Sequence, residues 1–340
     1  MSNNELLTYQ QLKALPPQQW IMQPNMIPAE GLVILYGPPS SGKSFVALDW
    51  ALCFATGQSW LGRFPVQKCP VIYIAAEGGS GITKRVVAWA DHYGHADLPG
   101  AYFLLHPLAV REEGAVDAFL DSLDDMLIVE DDGDVSGIAD LNPGIIIIDT
   151  LSRSFGGGDE NASTDMADFV DKVVDLAKAK HVAVLVVHHT NATGGRERGH
   201  SALRGGADTM FACKAFEDKE SGRLISLCLT NDKQKDDAKQ PPIHLRPVAV
   251  RKSIVLEETE APEKEKTPKE EAAMRKSDML RTLSNSEDGY TWQEWKLACG
   301  IDKPLFNRRL KQFTELCQIY KENGRYRVTP ATKDLAEDEG

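Results

Sequence analysis

Short apolar runs alternate with amphipathic segments over most of the first 256 residues. The apolar runs at 31–36, 71–75, 145–148 and 182–187 are rich in β-branched residues and have no polar face. This pattern is typical of strands that are buried on both faces of a parallel sheet. Between the last two runs, residues 168–177 place five apolar side chains on one face of a helix. The alternation predicts an α/β domain in which helices cover both sides of a mostly parallel sheet.

The pattern changes twice in the remainder of the chain. Short strands at 224–229, 243–245 and 253–256 are expected to continue the sheet as antiparallel edge strands. The next residues are charged and nearly free of large apolar groups, so they cannot bury enough surface to offset the entropy lost on ordering. We therefore predict four regions: an α/β domain over 1–256, a charged linker over 257–272, a small domain over 273–330 and an acidic tail over 331–340.

The small domain has the pattern of three helices followed by a hairpin. In its third helix one face carries three apolar side chains, those of Phe306, Leu310 and Phe313. Asn323-Gly324 then joins two extended runs and favours a two-residue hairpin turn. This order predicts a winged-helix fold, with either a DNA duplex or a protein as its partner. The third helix leaves three basic side chains for solvent or a duplex: Arg308, Arg309 and Lys311.

A phosphate-binding motif follows the first apolar run directly. The eight residues fit G-x-x-x-x-G-K-[ST] at every fixed position, and an apolar helical run follows them. Such a loop wraps backbone N–H groups around phosphates, its lysine reaches the β- and γ-phosphates, and its serine binds Mg²⁺. The sequence therefore predicts bound ATP and Mg²⁺. The predicted nucleotide-binding residues are Gly37, Pro38, Pro39, Ser40, Ser41, Gly42, Lys43 and Ser44.

Three polar side chains follow other apolar runs and complete a candidate site for phosphoryl transfer. Asp149 ends the run at 145–148, where it can share Mg²⁺ with Ser44. Glu77 lies just beyond the run at 71–75 and precedes two glycines, so it is the candidate base for the attacking water. His188 and His189 follow the run at 182–187; we expect one imidazole to sense the γ-phosphate and favour His188.

These motifs resemble the RepA-type ring helicases of plasmids and phages over about residues 15–255. The specific part of the resemblance is the spacing of Glu77, of the run Asp149-Thr-Leu-Ser-Arg and of the His-His pair. The family implies a RecA-like fold related to DnaB and assembly as a homo-hexamer. It also implies ATP hydrolysis at subunit interfaces, with Lys43 on the phosphates, Ser44 and Asp149 on Mg²⁺, and Glu77 as catalytic base.

The segment after the His-His pair is rich in glycine and arginine. Loops at this place in related rings line the central channel, and mobile guanidinium groups can follow a single-stranded DNA backbone without reading its sequence. The alternative is a solvated charged loop. The candidate DNA-binding residues here are Arg196, Arg198, His200 and Arg204.

A ring ATPase also needs a cation from the neighbouring subunit to stabilise the transition state. Lys233-Gln-Lys235 resembles the K-x-R element of DnaB-like rings but has lysine where the family has arginine. A lysine offers one compact charge instead of a bidentate fork. Lys233, Lys235 and Arg204 are therefore all candidates for the trans-acting group.

Charge and cysteine usage narrow the class of protein further. The net charge of −12 speaks against a protein that coats DNA, but residues 271–330 carry eleven basic against eight acidic side chains. The six cysteines are scattered without a C-x-x-C pair, as expected of thiols in the cytoplasm. No secretion signal or membrane-spanning run is expected from the sequence.

Three functions fit this sequence. The first is a replicative DNA helicase of a mobile element or phage that moves on single-stranded DNA and meets a replication partner. The second is a RecA-like ATPase of recombination or repair. The third is an ATP-gated regulatory module that binds DNA or protein without unwinding, and Glu77 argues against it, because a nucleotide switch needs no water-activating carboxylate.

Overall fold

The computed structural model describes most of the chain as two compact units, Met1–Pro262 and Glu263–Gly340. The described residues are 6–77, 79–124, 126–129, 135–139, 143–190, 200–218, 222–261, 276, 278–286, 288–301 and 303–332. Every helix within these ranges is either too short or too polar to span a bilayer.

A mixed sheet forms the centre of the larger unit. Among the described residues it has nine strands in the order β13-β12-β11-β10-β3-β9-β8-β4-β5. The six strands from β10 to β5 run parallel, and β11, β12 and β13 continue the sheet antiparallel. The strands are β1 (Trp20–Met22), β2 (Ile27–Pro28), β3 (Gly31–Gly37), β4 (Val71–Ala75), β5 (Ala101–Leu104), β6 (Met126–Val129), β7 (Val135–Ala139), β8 (Ile145–Asp149), β9 (Ala183–His189), β10 (Thr209–Glu217), β11 (Leu224–Gln234), β12 (Ile243–Val250) and β13 (Ser253–Glu258).

Helices cover both faces of this sheet and divide its core in two. The helices are α1 (Tyr9–Lys13), α2 (Lys43–Thr56), α3 (Gly79–Tyr93), α4 (Ala115–Asp124), α5 (Leu151–Ser154), α6 (Ser163–Lys180) and α7 (His200–Gly206). One core cluster packs α2 and α3 against the sheet, and the other packs α4, α5, α6 and α7 against the opposite face. Because successive side chains of a strand point to opposite faces, each central strand contributes to both clusters.

The predicted α/β architecture is confirmed, and so are the antiparallel edge strands. β10 was not predicted, and it is less uniformly apolar than the central strands, because exposed and part-buried positions follow its buried start. β13 also extends two residues into the predicted linker, because Glu257 and Glu258 still pair with β12. The rest of the linker from residue 262 lies outside the described residues.

The smaller unit has the predicted order of helices followed by a hairpin. Its elements are α8 (278–284), α9 (Trp292–Cys299), α10 (Lys303–Glu315), β14 (Ile319–Glu322) and β15 (Arg325–Val328). Thr291 caps α9, because its Oγ1 accepts a hydrogen bond from Glu294 N at 3.3 Å while the Glu294 carboxylate accepts one from Thr291 N at 2.9 Å. The hairpin turns at Asn323-Gly324, both with positive φ, as predicted. Residues 333–340 of the predicted tail lie outside the described residues.

The prediction that all three basic side chains of α10 lie on the surface is wrong for one of them, Arg309. Arg309 is only 5% exposed, whereas Arg308 and Lys311 are exposed. Position 309 is three residues after Phe306 and four before Phe313, so it shares their buried face. Arg309 is therefore part of the interior of this unit and is not available to a duplex.

Candidate nucleotide site

The phosphate-binding loop lies between β3 and α2, and two of its glycines are required by its geometry. Gly42 caps α2 with φ +86°, and a Cβ there would lie 2.7 Å from Cδ2 of Leu227. A Cβ on Gly37 would lie 2.2 Å from the backbone oxygen of Cys213 on β10. The loop therefore folds close against the neighbouring strands and presents the N-terminus of α2, whose free N–H groups favour phosphate.

Lys43, the first residue of α2, turns back over this loop. It is buried, and its Nζ donates hydrogen bonds to the backbone oxygens of Gly37 at 3.0 Å and Pro38 at 2.6 Å. Burial lowers the pKa of Lys43 to about 8, although the charges of Cys213, Asp149 and Glu77 oppose this change. The ammonium group is thus held where a β- or γ-phosphate would compensate its desolvation.

Asp149 lies at the carboxyl end of β8 with both carboxylate oxygens engaged. Ser44 Oγ donates to Oδ1 at 3.1 Å, and the hydroxyl of Tyr73 donates to Oδ2 at 2.6 Å. Burial raises the pKa of Asp149, and the hydrogen bonds from Tyr73 and Ser44 oppose that rise. Hydroxyl and carboxylate oxygens side by side are the donors that Mg²⁺ prefers, so Ser44 and Asp149 fit the ion expected with ATP.

Glu77 lies two residues beyond β4, next to the strand that ends in Asp149. The strand register pairs Ala75 with Asp149, so both strands end at the same level. The Glu77 side chain is exposed, and its charge acts on Lys43 and Asp149. The structure therefore brings Glu77, Asp149 and the phosphate-binding loop to the same edge of the sheet, as the sequence predicted.

The preference for His188 over His189 is corrected by the strand geometry. Val186 belongs to the core cluster on the α6 side and Val187 to the cluster on the α2 side. Side chains alternate, so His188 shares the α6 face and His189 shares the face of the phosphate-binding loop. Burial lowers the pKa of His189, as does the nearby charge of Lys43. His189 is thus the imidazole at the nucleotide site.

Two residues of this site were missed in the sequence. Tyr73 carries the one polar side-chain group in the otherwise apolar strand β4. A buried phenol hydroxyl requires a hydrogen-bond partner, and this requirement was the available signal. Arg85 lies on α3 with its guanidinium 4.5 Å from the ring centroid of Phe45, and its positive charge opposes the rise in the pKa of Asp149. Nothing in the sequence pattern distinguished Arg85 from other basic residues on helices.

The three candidates for a trans-acting cation form a separate group, here called the basic cluster: Arg204, Lys233 and Lys235. Arg204 pairs with Asp232, and Lys235 Nζ lies 3.1 Å from Oδ1 of Asp208. Lys233 Nζ donates to the backbone oxygen of Arg204 at 2.6 Å, at the end of α7. Oδ2 of Asp208 accepts a hydrogen bond from the backbone N of Leu32 near the start of β3. Oδ2 of Asp232, the partner of Arg204, accepts one at 2.9 Å from the hydroxyl of Tyr36 near its end, so the cluster runs alongside β3.

The other predicted DNA-binding residues are only partly described. Arg196 and Arg198 fall within 191–199, which lie outside the described residues. The backbone of His200 begins α7, which packs against α6. Along the chain, β9 ends at His189 before these residues, and α7 begins at His200 after them.

A comparison with known families agrees with this geometry. A family model described as an AAA domain matches residues 4–195, which is more than half of the 340-residue chain. The matched region contains the phosphate-binding loop, Glu77, Asp149 and His189, and it ends before the antiparallel strands. The chain therefore belongs to the AAA domain family of P-loop ATPases.

Proposed function

We propose that this chain is one subunit of a hexameric ring that couples ATP hydrolysis to movement along single-stranded DNA, as the replicative helicase of a plasmid or phage does. The proposal rests on the motif spacing that resembles RepA-type helicases and on the convergence of those motifs at one edge of the sheet. It is more specific than membership of the AAA domain family, which supports an ATPase.

Each residue of the nucleotide site has a role in this proposal. The loop N–H groups and Lys43 bind the β- and γ-phosphates. Ser44 and Asp149 hold Mg²⁺, which neutralises charge on the phosphate oxygens. Tyr73 fixes the orientation of Asp149. Glu77 orients the attacking water and accepts its proton as the γ-phosphate is transferred.

The observation that carries the DNA-dependent part is the position of His189. Its side chain lies on the nucleotide face and responds to the charges of Lys43, Glu77 and Asp149. The segment with Arg196 and Arg198 follows it directly. A change at the γ-phosphate therefore has a covalent route of a few residues to the proposed DNA contacts.

The remaining partners are proposed from the resemblance. The ring places a cation of the basic cluster at the next subunit's ATP site, where it stabilises charge in the transition state. The smaller unit acts as a winged helix that contacts duplex DNA or a replication partner, and Arg308 and Lys311 are its exposed basic residues on α10.

The test is ATP turnover with and without a single-stranded oligonucleotide. We expect stimulation in the wild-type protein and its loss in the Arg196→Ala/Arg198→Ala double variant, with unstimulated turnover unchanged. Lys84→Ala/Lys252→Ala is the matched control, because it removes two exposed cations to which no DNA contact is assigned. ATP turnover that is the same with and without every nucleic acid tested would contradict a motor that moves on DNA. Stimulation by single-stranded DNA without separation of the strands of a forked duplex would favour a recombination ATPase.

A further inference from the structure

A carboxylate is buried inside the larger unit, away from the residues assigned to phosphate chemistry. Asp49 of α2 is 3% exposed. Its Oδ2 accepts a hydrogen bond from Nε1 of Trp60 at 2.7 Å, and its Oδ1 accepts one from Nε1 of Trp89 at 2.6 Å. Each carboxylate oxygen is thus bound by an indole N–H from a different part of the chain.

This arrangement is costly compared with an apolar side chain at the same place. Burial raises the pKa of Asp49 to about 6, although the two indole hydrogen bonds oppose that rise. A buried charged group without a full ion pair costs free energy that an apolar residue would not. Space filling therefore does not account for the carboxylate. Its role must lie in the segments that its two hydrogen bonds join to α2.

The two indoles lead to different places. Trp60 lies in the turn that follows α2, where its backbone pairs with Phe64. Trp89 lies on α3, the helix that begins two residues after Glu77. Of these two hydrogen bonds, the one from Trp89 therefore links the phosphate-binding helix to the helix that follows the proposed base.

The contact between α2 and α3 has two levels with matching spacing. Arg85 stacks on Phe45 at 4.5 Å, and Trp89 binds Asp49 four residues further along both helices. Residues four apart lie on the same helix face, so the two contacts lie one above the other. Phe45 directly follows Ser44, so the contact between Arg85 and Phe45 adjoins the nucleotide site. The hydrogen bond between Trp89 and Asp49 holds the same two helices together one turn further away from that site.

We propose that Asp49 is a positioning residue for ATP hydrolysis: its hydrogen bond to Trp89 holds α3 against α2 and so fixes where Glu77 and Arg85 stand at the γ-phosphate. The inference rests on the ATPase chemistry proposed above. Asp49 itself does not touch nucleotide. It acts through α3.

Two matched substitutions separate this role from a purely structural one. Trp89→Phe and Trp60→Phe each remove one indole N–H from the same carboxylate and keep an aromatic ring. We expect Trp89→Phe to lower kcat about 10- to 100-fold with little change in the KM for ATP, because small misplacements of reacting groups have effects of this size. Trp60→Phe should leave kcat within about twofold. Both variants should lower the Tm by similar amounts, because each removes one hydrogen bond from the same carboxylate. An equal fall in kcat for both variants, or a fall for neither, overturns the proposal.

Amide hydrogen exchange gives a second readout that needs no turnover. In Trp89→Phe the amides of 84–90 should exchange faster, and in Trp60→Phe they should exchange as in wild type. If the wild-type protein hydrolyses no ATP, the proposed function fails, and the exchange contrast still decides whether Asp49 holds α3. Unchanged exchange in Trp89→Phe would show that α3 does not depend on this contact.

Discussion

Charged side chains occur in two groups beside β3, and the groups differ in how they are held. In the first group, Lys43 and Asp149 are buried. Lys43 donates hydrogen bonds to backbone oxygens of the phosphate-binding loop, and Asp149 accepts hydrogen bonds from Ser44 and Tyr73. The second group, the basic cluster, is partly exposed, and its cations pair with groups of the same chain.

The difference in burial changes how strongly each charge can interact with a phosphate. Buried charges are desolvated and preorganised, so their interaction with a phosphate is strong. Exposed ion pairs contribute little individually and can exchange partners at small cost. The buried group therefore suits chemistry on a phosphate held by its own loop, and the basic cluster suits the contact with a neighbouring subunit that we propose.

The largest expected effect comes from the buried cation. Lys43→Ala should abolish detectable ATP binding and lower hydrolysis at least about 1,000-fold, because the variant loses both ground-state and transition-state contacts to phosphate. Titration with a fluorescent ATP analogue and a phosphate-release assay measure the two effects. Lys84→Ala, on the exposed face of α3, is the control and should match wild type. Retained ATP affinity in Lys43→Ala would show that the loop does not hold the triphosphate.

The next effect separates binding from chemistry. Glu77→Gln should keep ATP affinity within about threefold and lower kcat about 100- to 1,000-fold, as expected when a group acts mainly in the transition state. Glu160→Gln is the matched control, because Glu160 accepts a hydrogen bond from Ser152 at 2.9 Å and its charge also acts on His189. If Glu160→Gln loses turnover and Glu77→Gln keeps it, Glu77 is the wrong carboxylate.

The same two groups show what the sequence could reveal. Glu77 and Asp149 were predictable because each follows an apolar run, and strands of that kind end together at one edge of a parallel sheet. Arg85 was not predictable, because its role depends on the packing of α3 against α2. The choice between His188 and His189 failed for a related reason: the sequence fixes their alternation but not which face of β9 meets the phosphate-binding loop. Arg309 was predicted on the surface because charged side chains are rarely buried, although its spacing from Phe306 and Phe313 places it on their buried face.

The basic cluster should show an effect of intermediate size that depends on a neighbour. We expect alanine at the trans-acting position to lower kcat about 10-fold or more, and alanine at the other two positions to change it less than about threefold. Mixing such a variant with Lys43→Ala subunits should restore turnover at interfaces that combine an intact loop with an intact cation. If no mixture recovers activity, the cation acts within its own subunit or not at all.

Lys233 and Lys235 also differ in their expected effect on stability. Lys233 donates to backbone oxygens at the end of α7, so Lys233→Ala should lower the free energy of unfolding by about 1 kcal/mol. Lys235 is 58% exposed and pairs with one carboxylate, so Lys235→Ala should change it by less than about 0.5 kcal/mol. Denaturant titration at neutral pH compares the two variants. Equal losses would mean that the α7 contact contributes nothing beyond a surface pair.

The last expected effect is a pH dependence of stability that belongs to Asp49, the buried carboxylate of α2. The pKa of Asp49 is raised to about 6 in the folded chain from 3.8, so the folded state binds a proton more readily than the unfolded state between these values. The stability that this proton provides is fully present below about pH 3.8 and is lost as the pH rises through about 6. Relative to Asp49→Asn, which carries no such proton, wild type should therefore gain about 1 kcal/mol between pH 7 and pH 5. Trp60→Phe keeps the carboxylate and should keep this gain. If the free energies of unfolding of wild type and Asp49→Asn differ by the same amount at both pH values, Asp49 titrates as an exposed carboxylate does.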